Sequence, residues 1–470
     1  MAELRLREDQ REIVKKLVEI LKSNSTPWVA LQAPTGWGKT IAALAVIKEL
    51  GARPALWLTP RLSIGIHVFN HCNALGLRCL ATAGREKMCI HGYTLEFLRG
   101  VCRSCEYNRP ISLSDLRDFQ SSVDFGKIRE RSEALHLCPY LVQTVLERSR
   151  FDVTIAHYGR ANKLIRALRP GIVIIDECHN LTLPSMHKVD TRAMEVLLGK
   201  LGFEEDEIGQ IIKSPETLKM VLNEMIDALV TIAFEDNDLK PIIEEVVQML
   251  SSQIWYFDAD DETITALELP LNLSTNVPIV YMSATLPPSL GSNVITIKRG
   301  WAVPVRIDSK YVLTYENVRK RREEIGRYVA ERYLRPSTVI FTTAARELLL
   351  NNKDGVIYED ELEGKTPCDF KSETVVLRAY GRYAEGINLD CFDNLVLLGL
   401  PALQPTAMHR LEMRGVKPRD LIVVKIAQII GRVIRSPTPP DRMPNIYLVD
   451  KRFHQFESEL KNYEIEIINT

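Results

Sequence analysis

Short apolar runs alternate with amphipathic segments along most of this chain. Residues 8–22 place apolar side chains at helical spacing among charged ones, which predicts an amphipathic helix. Further helical patterns cover residues 39–50 and 64–75. The apolar runs are rich in β-branched residues and too short for buried helices, so we predict strands. They span residues 28–34, 54–60, 152–158, 171–177, 278–285, 337–343, 374–380, 394–400 and 445–451.

Helical segments that separate apolar strands are typical of a parallel sheet covered on both faces. The strands form two such blocks: the first ends with the strand over residues 278–285, and the second begins with the strand over residues 337–343. We therefore predict an α/β protein with two similar lobes that face a cleft. Ligands of parallel sheets bind at the carboxyl ends of the strands, which here carry polar residues.

Residues 186–270 interrupt this pattern with a helical, acidic segment in which we identify no convincing strand. The segment holds 6 Lys and Arg against 19 Asp and Glu, a net charge of −13, while the whole chain has a net charge of −1. An acidic module beside a basic body can repel or guide a polyanion. The simpler interpretation is a solvated helical insert.

The bulk composition is that of a globular protein without a membrane span. At 470 residues the chain is long enough for roughly two to four domains. No apolar run approaches the roughly 20 residues of a membrane helix, and the first residues are charged, so we predict a cytoplasmic protein. The odd number of 9 cysteines argues against a disulfide scaffold. Five cysteines read as small buried hydrophobes: Cys72, Cys79, Cys178, Cys368 and Cys391.

Residues 33–40 form a glycine-rich loop between a predicted strand and a predicted helix. Gly36 and Gly38 allow backbone N–H groups to close around a phosphate, and the helix N-terminus adds positive charge. Lys39 is expected to reach the β- and γ-phosphates, and the Thr40 hydroxyl to ligate Mg²⁺. The loop therefore predicts ATP binding with Mg²⁺ by the segment Pro34, Thr35, Gly36, Trp37, Gly38, Lys39 and Thr40.

Asp176 and Glu177 stand at the end of the apolar strand over residues 171–177. At that edge one carboxylate can hold Mg²⁺ while its neighbour orients and deprotonates the attacking water. We assign Asp176 to the metal and Glu177 to the water.

Gln428, Arg432 and Arg435 follow one another at helical spacing in the second block. One helix face can present all three side chains. Arginines that reach a γ-phosphate across a cleft stabilise transition-state charge, which is the role predicted for Arg432 and Arg435.

Four cysteines are grouped between the phosphate loop and the acidic pair: Cys89, Cys102, Cys105 and Cys138. Twelve, two and thirty-two residues separate them in turn. Four thiolates suit either Zn²⁺ or a [4Fe–4S] cluster, and the spacing does not separate the two. The chemistry of the residues alone favours zinc.

These motifs occur in the order of superfamily 2 helicases, and the chain resembles the XPD family of iron–sulfur DNA helicases. Arg7 and Gln10 resemble its adenine-reading motif, and residues 59–61 its motif Ia. Residues 176–180 resemble its DEAH box with Cys178 in the Ala position, and residues 283–285 its motif III. Glu385 and Gly386 lie in motif V, residues 428–435 resemble motif VI, and residues 450–453 match a C-terminal signature. The sequence around Arg85, Cys89 and Cys138 resembles the borders of the family's cluster domain.

The resemblance implies two RecA-like motor domains, with an iron–sulfur insert and a helical arch both in the first. Motor domain 1 would comprise residues 1–82, 149–185 and 271–298, and motor domain 2 residues 299–470. The cluster domain would span residues 83–148 and hold a [4Fe–4S] cluster on the four cysteines. The acidic segment 186–270 would be the arch. By this resemblance the chain is expected to be a monomer that translocates 5′→3′ on single-stranded DNA and opens forked DNA at the cluster domain.

The predicted DNA contacts are Arg61, Arg85, His157 and Tyr158, because arginines bind phosphates and aromatic rings stack on bases. Two features depart from the family pattern. Asn388 stands where family members carry an acidic residue, and the arch is short. A nucleotide-switched DNA-binding scaffold and a helicase–nuclease remain as alternatives, although no further carboxylate cluster suggests a nuclease.

Overall fold

A computed structural model describes most residues of the chain. These are residues 6–23, 28–92, 102–112, 114–119, 121–149, 151–258, 262–270, 273, 275–291, 293–343, 349–350, 355–362, 365–381, 383, 387–434, 439–440 and 442–468.

The chain forms two parallel seven-stranded sheets, here called lobe 1 and lobe 2. In lobe 1 the strand order is β10-β1-β9-β5-β2-β4-β3. Its strands are β1 (Trp28–Gln32), β2 (Ala55–Thr59), β3 (Cys79–Ala81), β4 (Val153–His157), β5 (Ile172–Asp176), β9 (Ile279–Ser283) and β10 (Val294–Thr296). In lobe 2 the order is β13-β14-β12-β15-β16-β11-β17. Its strands are β11 (Val303–Asp308), β12 (Thr338–Thr342), β13 (Val356–Tyr358), β14 (Thr374–Arg378), β15 (Asn394–Leu398), β16 (Asn445–Val449) and β17 (Ile465–Ile467).

The helices that cover the two sheets follow the strands along the chain. Lobe 1 carries α1 (Glu8–Lys22), α2 (Lys39–Leu50), α3 (Leu62–Ala74), α7 (Ala161–Leu168) and α8 (His179–Thr182). Lobe 2 carries α14 (Tyr315–Lys320), α15 (Arg322–Tyr333), α16 (Pro405–Glu412), α17 (Pro418–Val433) and α18 (Glu457–Leu460). None of the helices that the structure describes combines the length and apolarity needed to cross a bilayer.

All nine predicted strands are present, and the prediction of two α/β lobes is confirmed. Central strands such as β2 and β5 are buried along their whole length, which explains why they read as continuous apolar runs. Five strands of the two lobes were not predicted: β11 has 6 residues, whereas β3, β10, β13 and β17 have 3 residues each. A three-residue strand has no period that a sequence pattern can register.

The acidic insert (residues 186–270) combines helices with a three-stranded antiparallel sheet, so the expectation of a segment without strands was wrong. The sheet has the order β6-β8-β7, formed by β6 (Ser185–Asp190), β7 (Ile254–Asp258) and β8 (Thr263–Glu268). Only Met186 and Val189 of the six residues of β6 are apolar, and they stand three positions apart, so β6 lacks the alternation that would mark a strand. The helices are α9 (Thr191–Lys200), α10 (Glu205–Lys213), α11 (Pro215–Glu224), α12 (Ile226–Glu235) and α13 (Lys240–Leu250).

The insert belongs to lobe 1 in sequence but packs on lobe 2. Ile254, Tyr256 and Leu267 form one apolar cluster with residues of α16 and α17. Gln404 Nε2 donates to Asp258 Oδ1 at 2.6 Å, and Arg410 Nη1 donates to the Trp255 carbonyl at 2.7 Å. The insert therefore bridges the two lobes.

The cysteine region (residues 83–148) has a small apolar core of its own. Its helices are α4 (Arg85–Met88), α5 (Phe125–Ala134) and α6 (Pro139–Leu146). Met88, Ile128, Leu137 and Val142 are fully buried in that core. Gln143 fixes the first residue of the region to α6, because its side chain exchanges two hydrogen bonds with the backbone of Ala83, at 2.9 and 3.0 Å.

Cys368 and Cys391 form a disulfide bond across lobe 2 and are only partly buried, so their interpretation as free buried thiols was wrong. They are 23 residues apart in sequence, and nothing in the sequence marks them as neighbours. The bond joins the segment before β14 to the segment before β15.

Replacing both Cys368 and Cys391 by serine is expected to destabilise lobe 2. Closing a loop of this length removes unfolded-chain entropy that contributes about 3 kcal/mol to stability. Urea unfolding of the variant should therefore show a lower midpoint than that of the oxidised wild type. Reduced wild-type protein should match the variant, and the variant itself should respond little to reductant. Equal midpoints for the oxidised wild type and the variant would contradict a stabilising bond.

Candidate functional site

The phosphate loop joins β1 to α2 at the carboxyl edge of lobe 1. Gly36 and Gly38 have φ angles of 84° and 99°, a left-handed conformation that favours glycine. A Cβ atom on Gly38 would also lie 2.5 Å from Gln10 Nε2. Lys39 Nζ donates to the Ala33 and Pro34 carbonyls at 2.9 and 3.3 Å, so its ammonium lies within the loop. Thr40 follows in the first turn of α2.

The predicted adenine-reading residues Arg7 and Gln10 lie against this loop. Arg7 Nη2 and Gln10 Nε2 both donate to the Trp37 carbonyl, at 2.8 and 2.9 Å. The Trp37 indole N–H donates to Asp9 at 2.8 Å, and Arg7 lowers the pKa of that carboxyl. The start of α1 is thus fastened to the loop through Trp37.

The acidic pair ends β5, beside the phosphate loop. Asp176 is buried, and burial raises its pKa, as does the adjacent Glu177, whereas Lys39 acts in the opposite direction. The Lys39 charge therefore favours the ionised form of the buried Asp176 carboxylate. Glu177 has a φ of 50°, a left-handed backbone that is uncommon for a residue with a side chain. The strand β5 ends at the preceding residue, Asp176.

A hydrogen-bond chain connects Glu177 to the strand end of β9. Asn180 Nδ2 lies 3.0 Å from His179 Nε2, and His179 Nδ1 lies 2.8 Å from Ser283 Oγ. Ser283 Oγ in turn lies 3.5 Å from Glu177 Oε2 and 3.2 Å from the Thr285 carbonyl. With the Asn180 amide donating to Nε2, the His179 proton sits on Nδ1 and points at Ser283. The chain holds Glu177 in register with residues 283–285.

Tyr158 is a structural support of the acidic pair, which corrects its predicted role as a base-stacking residue. Its side chain is 7% exposed, and its hydroxyl donates to the backbone carbonyls of Asp176 and Glu177, the latter at 2.9 Å. The ring is covered by the core of lobe 1 and cannot stack on a base from this position. The sequence could not prevent this error, because an aromatic residue at the end of an apolar strand can be either an exposed stacking residue or a buried core residue.

Arg61 and His157 lie at the same edge of lobe 1, next to the cleft. Thr59 pairs with His157 in the register of β2 and β4, and Arg61 follows two residues later. Both Arg61 and His157 are exposed, as a contact with a nucleic acid requires. His157 Nδ1 accepts a hydrogen bond from the Gly159 amide at 3.1 Å, which fixes its ring.

The helix α17 carries Gln428 and Arg432 on the lobe 2 side of the cleft. Gln428 is buried, and Arg432 Nη1 donates to the Ile387 carbonyl at 3.5 Å. The helix ends at Val433. Arg435, Glu385 and Gly386 lie outside the described residues.

One interlobe cavity brings the predicted catalytic motifs together. Its volume is about 290 Å³, and its lining includes residues of the phosphate loop, the acidic pair, the segment 283–285 and α17. A second cavity of about 260 Å³ shares Arg61 and Gln428 with the first and extends to the insert and lobe 2 at Met186 and Lys425. Lining residues of the first include Thr35, Arg61, Glu177, His179, Thr285, Arg299, Gln428, Arg432 and Tyr463.

The four clustered cysteines line one small cavity of about 80 Å³ in the cysteine region. Burial raises the pKa of the Cys102 and Cys138 thiols, and the other thiols of the group add to it. His91 Nε2 lies 3.7 Å from Cys105 Sγ. Across the described chain, no three His, Cys, Asp or Glu side chains lie close enough to hold one metal ion. The thiols therefore converge on a common space without forming a compact single-ion site.

Arg85 stands between this cavity and a cluster of cations around Tyr140 that sequence reading missed. The Arg85 guanidinium lies 4.6 Å from the centre of the Tyr140 ring, and Lys163 Nζ donates to the Tyr140 hydroxyl at 2.9 Å. Burial alone would raise the pKa of Tyr140, but Lys163, Arg160 and Arg85 outweigh it and lower that pKa. Arg160 also forms a buried ion pair with Glu147. Residues far apart in sequence build this cluster, so no local motif announces it.

Comparisons with known proteins agree with this architecture. Residues 3–199, less than half of the chain, match the family described as "Type III restriction enzyme, res subunit". A comparison with curated protein sequences gave no match. A solved structure described as "XPD_Helicase" is similar over 100% of both chains, with a TM-score of 0.70 and 17% identity. "Structure of S. tokodaii Xpd4" is similar over 98% of this chain and 100% of that chain, with a TM-score of 0.53 and 17% identity.

The likeness to these two structures concerns the whole chain, because their ends and inserts are covered together with the two sheets. At this identity it establishes the fold. The predicted architecture of two RecA-like lobes is thereby confirmed, and the chain has the fold of the XPD helicases.

Proposed function

We propose that this protein is an ATP-dependent DNA helicase of the XPD type. The observation that carries the proposal is the interlobe cavity, in which Thr35 and Glu177 of lobe 1 face Gln428 and Arg432 of lobe 2. A nucleotide between two lobes can couple hydrolysis to their closure only if both lobes contact it. The family match over residues 3–199 and the fold likeness support the same activity.

The residues of the cavity divide the work of phosphoryl transfer. Lys39 and the loop amides bind the phosphates, Glu177 orients the attacking water and accepts its proton, and Arg432 stabilises charge that develops on the γ-phosphate. Thr40 and Asp176 are the residues that would hold Mg²⁺, since a buried carboxylate beside one lysine suits a divalent cation. When bound, Mg²⁺ neutralises charge on the β- and γ-phosphates.

Two surfaces support a role on DNA. Arg61 and His157 lie exposed at the edge of lobe 1, where a single strand can cross the cleft. Arg85 and Lys163 bring positive charge to the junction of lobe 1 and the cysteine region. We propose that the protein acts as a monomer in the cytoplasm, moves 5′→3′ on single-stranded DNA and opens forked DNA beside the cysteine region.

The cysteine region is proposed to hold a [4Fe–4S] cluster on Cys89, Cys102, Cys105 and Cys138. The donor set fits, because all four thiols line one cavity. The resemblance of the surrounding sequence to the cluster domain of the XPD family favours [4Fe–4S] over Zn²⁺. When bound, a cluster would supply a covalent cross-link that fixes the segments around the four cysteines to one another.

Strand-displacement and ATPase assays on the purified full chain test the function. Single-stranded DNA is expected to stimulate ATP hydrolysis several-fold, because DNA and nucleotide share the interlobe cleft. A duplex with a 5′ single-stranded tail should be displaced, while its 3′-tailed counterpart should not. ATP turnover without displacement of either substrate would contradict a helicase and favour a nucleotide-switched DNA-binding scaffold.

A further inference from the structure

Arg299 is a cation of the interlobe cavity that belongs to none of the sequence motifs. It lies in the connection between the lobes, after β10 of lobe 1 and before β11 of lobe 2. The strand β10 pairs with β1, which leads into the phosphate loop, and the Ile297 amide donates to the Gln32 carbonyl at 2.7 Å. Arg299 follows two residues later and lines the same cavity as Thr35, Glu177 and Arg432.

The backbone of Arg299 is held firmly by the end of the chain. The Glu464 carboxylate accepts the amides of Arg299 and Gly300, at 2.6 and 3.1 Å. The neighbouring Tyr463 donates its hydroxyl to the Leu286 carbonyl of lobe 1 at 2.5 Å. Gln32 Nε2 donates to the Asn462 carbonyl at 3.1 Å. The segment 462–464 thus fastens the connection to both lobes.

The guanidinium of Arg299 is poorly matched by its protein surroundings. Within the described part of the chain it makes no hydrogen bond, and it lies over the Trp301 ring at 5.6 Å from the ring centre. Burial lowers the pKa of Arg299, and only the nearby Glu464 charge opposes this. An arginine carries five N–H donors, so a half-buried guanidinium that faces a cavity is prepared for an anionic ligand.

We propose that Arg299 binds the triphosphate of the nucleotide and so supplies the phosphate site with a cation from the interlobe connection itself. This inference rests on the proposed ATP site and adds a residue to it. A phosphate held by Arg299 links the nucleotide to the one segment that joins the lobes in sequence. Nucleotide binding then restrains the connection as well as the two sheet edges.

Equilibrium binding of AMP-PNP to the full chain tests this role. The substitution Arg299→Gln is expected to weaken AMP-PNP binding about tenfold or more, as loss of a charge-assisted hydrogen bond does. Inorganic tripolyphosphate, which has no base, should compete with AMP-PNP, and its affinity should fall by a similar factor. Arg299→Lys keeps the charge but not the planar fork, so it should retain part of the affinity.

Lys298→Gln is the matched control, because Lys298 is an exposed neighbour in the same connection and carries the same charge. It should leave AMP-PNP binding unchanged. Binding of single-stranded DNA without nucleotide should be equal in all variants, which shows that they are folded. Unchanged AMP-PNP binding in Arg299→Gln would overturn the inference while the ATP site stands. A loss for AMP-PNP without one for tripolyphosphate would also overturn it, since Arg299 would then serve the base. Absence of AMP-PNP binding in the wild type would instead overturn the proposed function.

Discussion

Lys39→Ala is expected to lower kcat for ATP hydrolysis at least a hundredfold. The Lys39 ammonium lies within the phosphate loop, hydrogen-bonded to the Ala33 and Pro34 carbonyls, and its charge acts on the buried Asp176. Removing one preorganised donor from a site of developing charge typically costs a factor of 10²–10³ in rate. Steady-state ATPase measured at saturating single-stranded DNA gives this number directly.

The DNA contacts proposed for Arg61 and His157 lie on strand ends other than the phosphate loop, so Lys39→Ala should bind single-stranded DNA nearly as the wild type does. Lys48→Ala offers a matched control, because Lys48 is exposed in the last turn of the same helix, α2, at the end opposite the loop. It should keep full turnover. If Lys39→Ala retained wild-type kcat, the assignment of residues 33–40 to ATP would be wrong.

The sequence predicted a feature correctly where all the residues that determine it lie in one contiguous segment. The phosphate loop needs glycines, a lysine and a helix start within eight residues, and the structure shows the corresponding left-handed turns at Gly36 and Gly38. The long central strands were likewise predictable, because burial on both faces of a parallel sheet requires an unbroken apolar run. Both features are recorded locally in the chain.

The features that sequence reading missed depend on contacts between distant segments. The disulfide between Cys368 and Cys391, the cations around Tyr140 and the place of Arg299 in the cavity all arise from tertiary packing. Tyr158 was misassigned for a related reason, since a strand end can present alternate side chains to the core or to solvent. Only the structure shows that its hydroxyl holds the backbone of the acidic pair.

The insert shows most clearly what the sequence pattern could not predict, which is how a segment packs on distant parts of the chain. Its charge predicted a solvated module, and its helices are indeed largely exposed on one side. Its sheet, however, buries Ile254, Tyr256 and Leu267 against lobe 2, so the insert connects the two lobes. Motion of the lobes during a nucleotide cycle must therefore shift or carry the insert.

Cys105→Ser is expected to abolish metal binding and duplex unwinding while much of the DNA-stimulated ATPase survives. Cys105 shares its cavity with Cys89, Cys102 and Cys138, but that cavity is separate from the interlobe one that contains Glu177 and Arg432. Loss of one thiolate removes a ligand that serine does not replace for a soft metal site. Without the cross-link the small core around Met88 and Ile128 loses much of its stabilisation.

Metal analysis and visible absorption of freshly purified protein make this prediction quantitative. The wild type should carry about four iron atoms per chain, as four thiolates on a [4Fe–4S] cluster imply. Zinc at one atom per chain would instead identify a structural zinc site. Cys72→Ser is the control, because Cys72 is a buried thiol of α3 in the core of lobe 1. It should keep its iron and its unwinding.

ATP hydrolysis and duplex opening are expected to depend on different parts of the protein, the two lobes and the cysteine region. If ATP closes the lobes through the interlobe cavity, DNA-stimulated hydrolysis needs the sheet edges and not the cysteine region. Duplex opening needs a rigid element placed where the strands part, and the cations of Arg85 and Lys163 lie at the base of the cysteine region. Cys105→Ser should therefore translocate without separating strands. Retained unwinding after complete loss of metal would mean that the apolar core alone holds the region rigid.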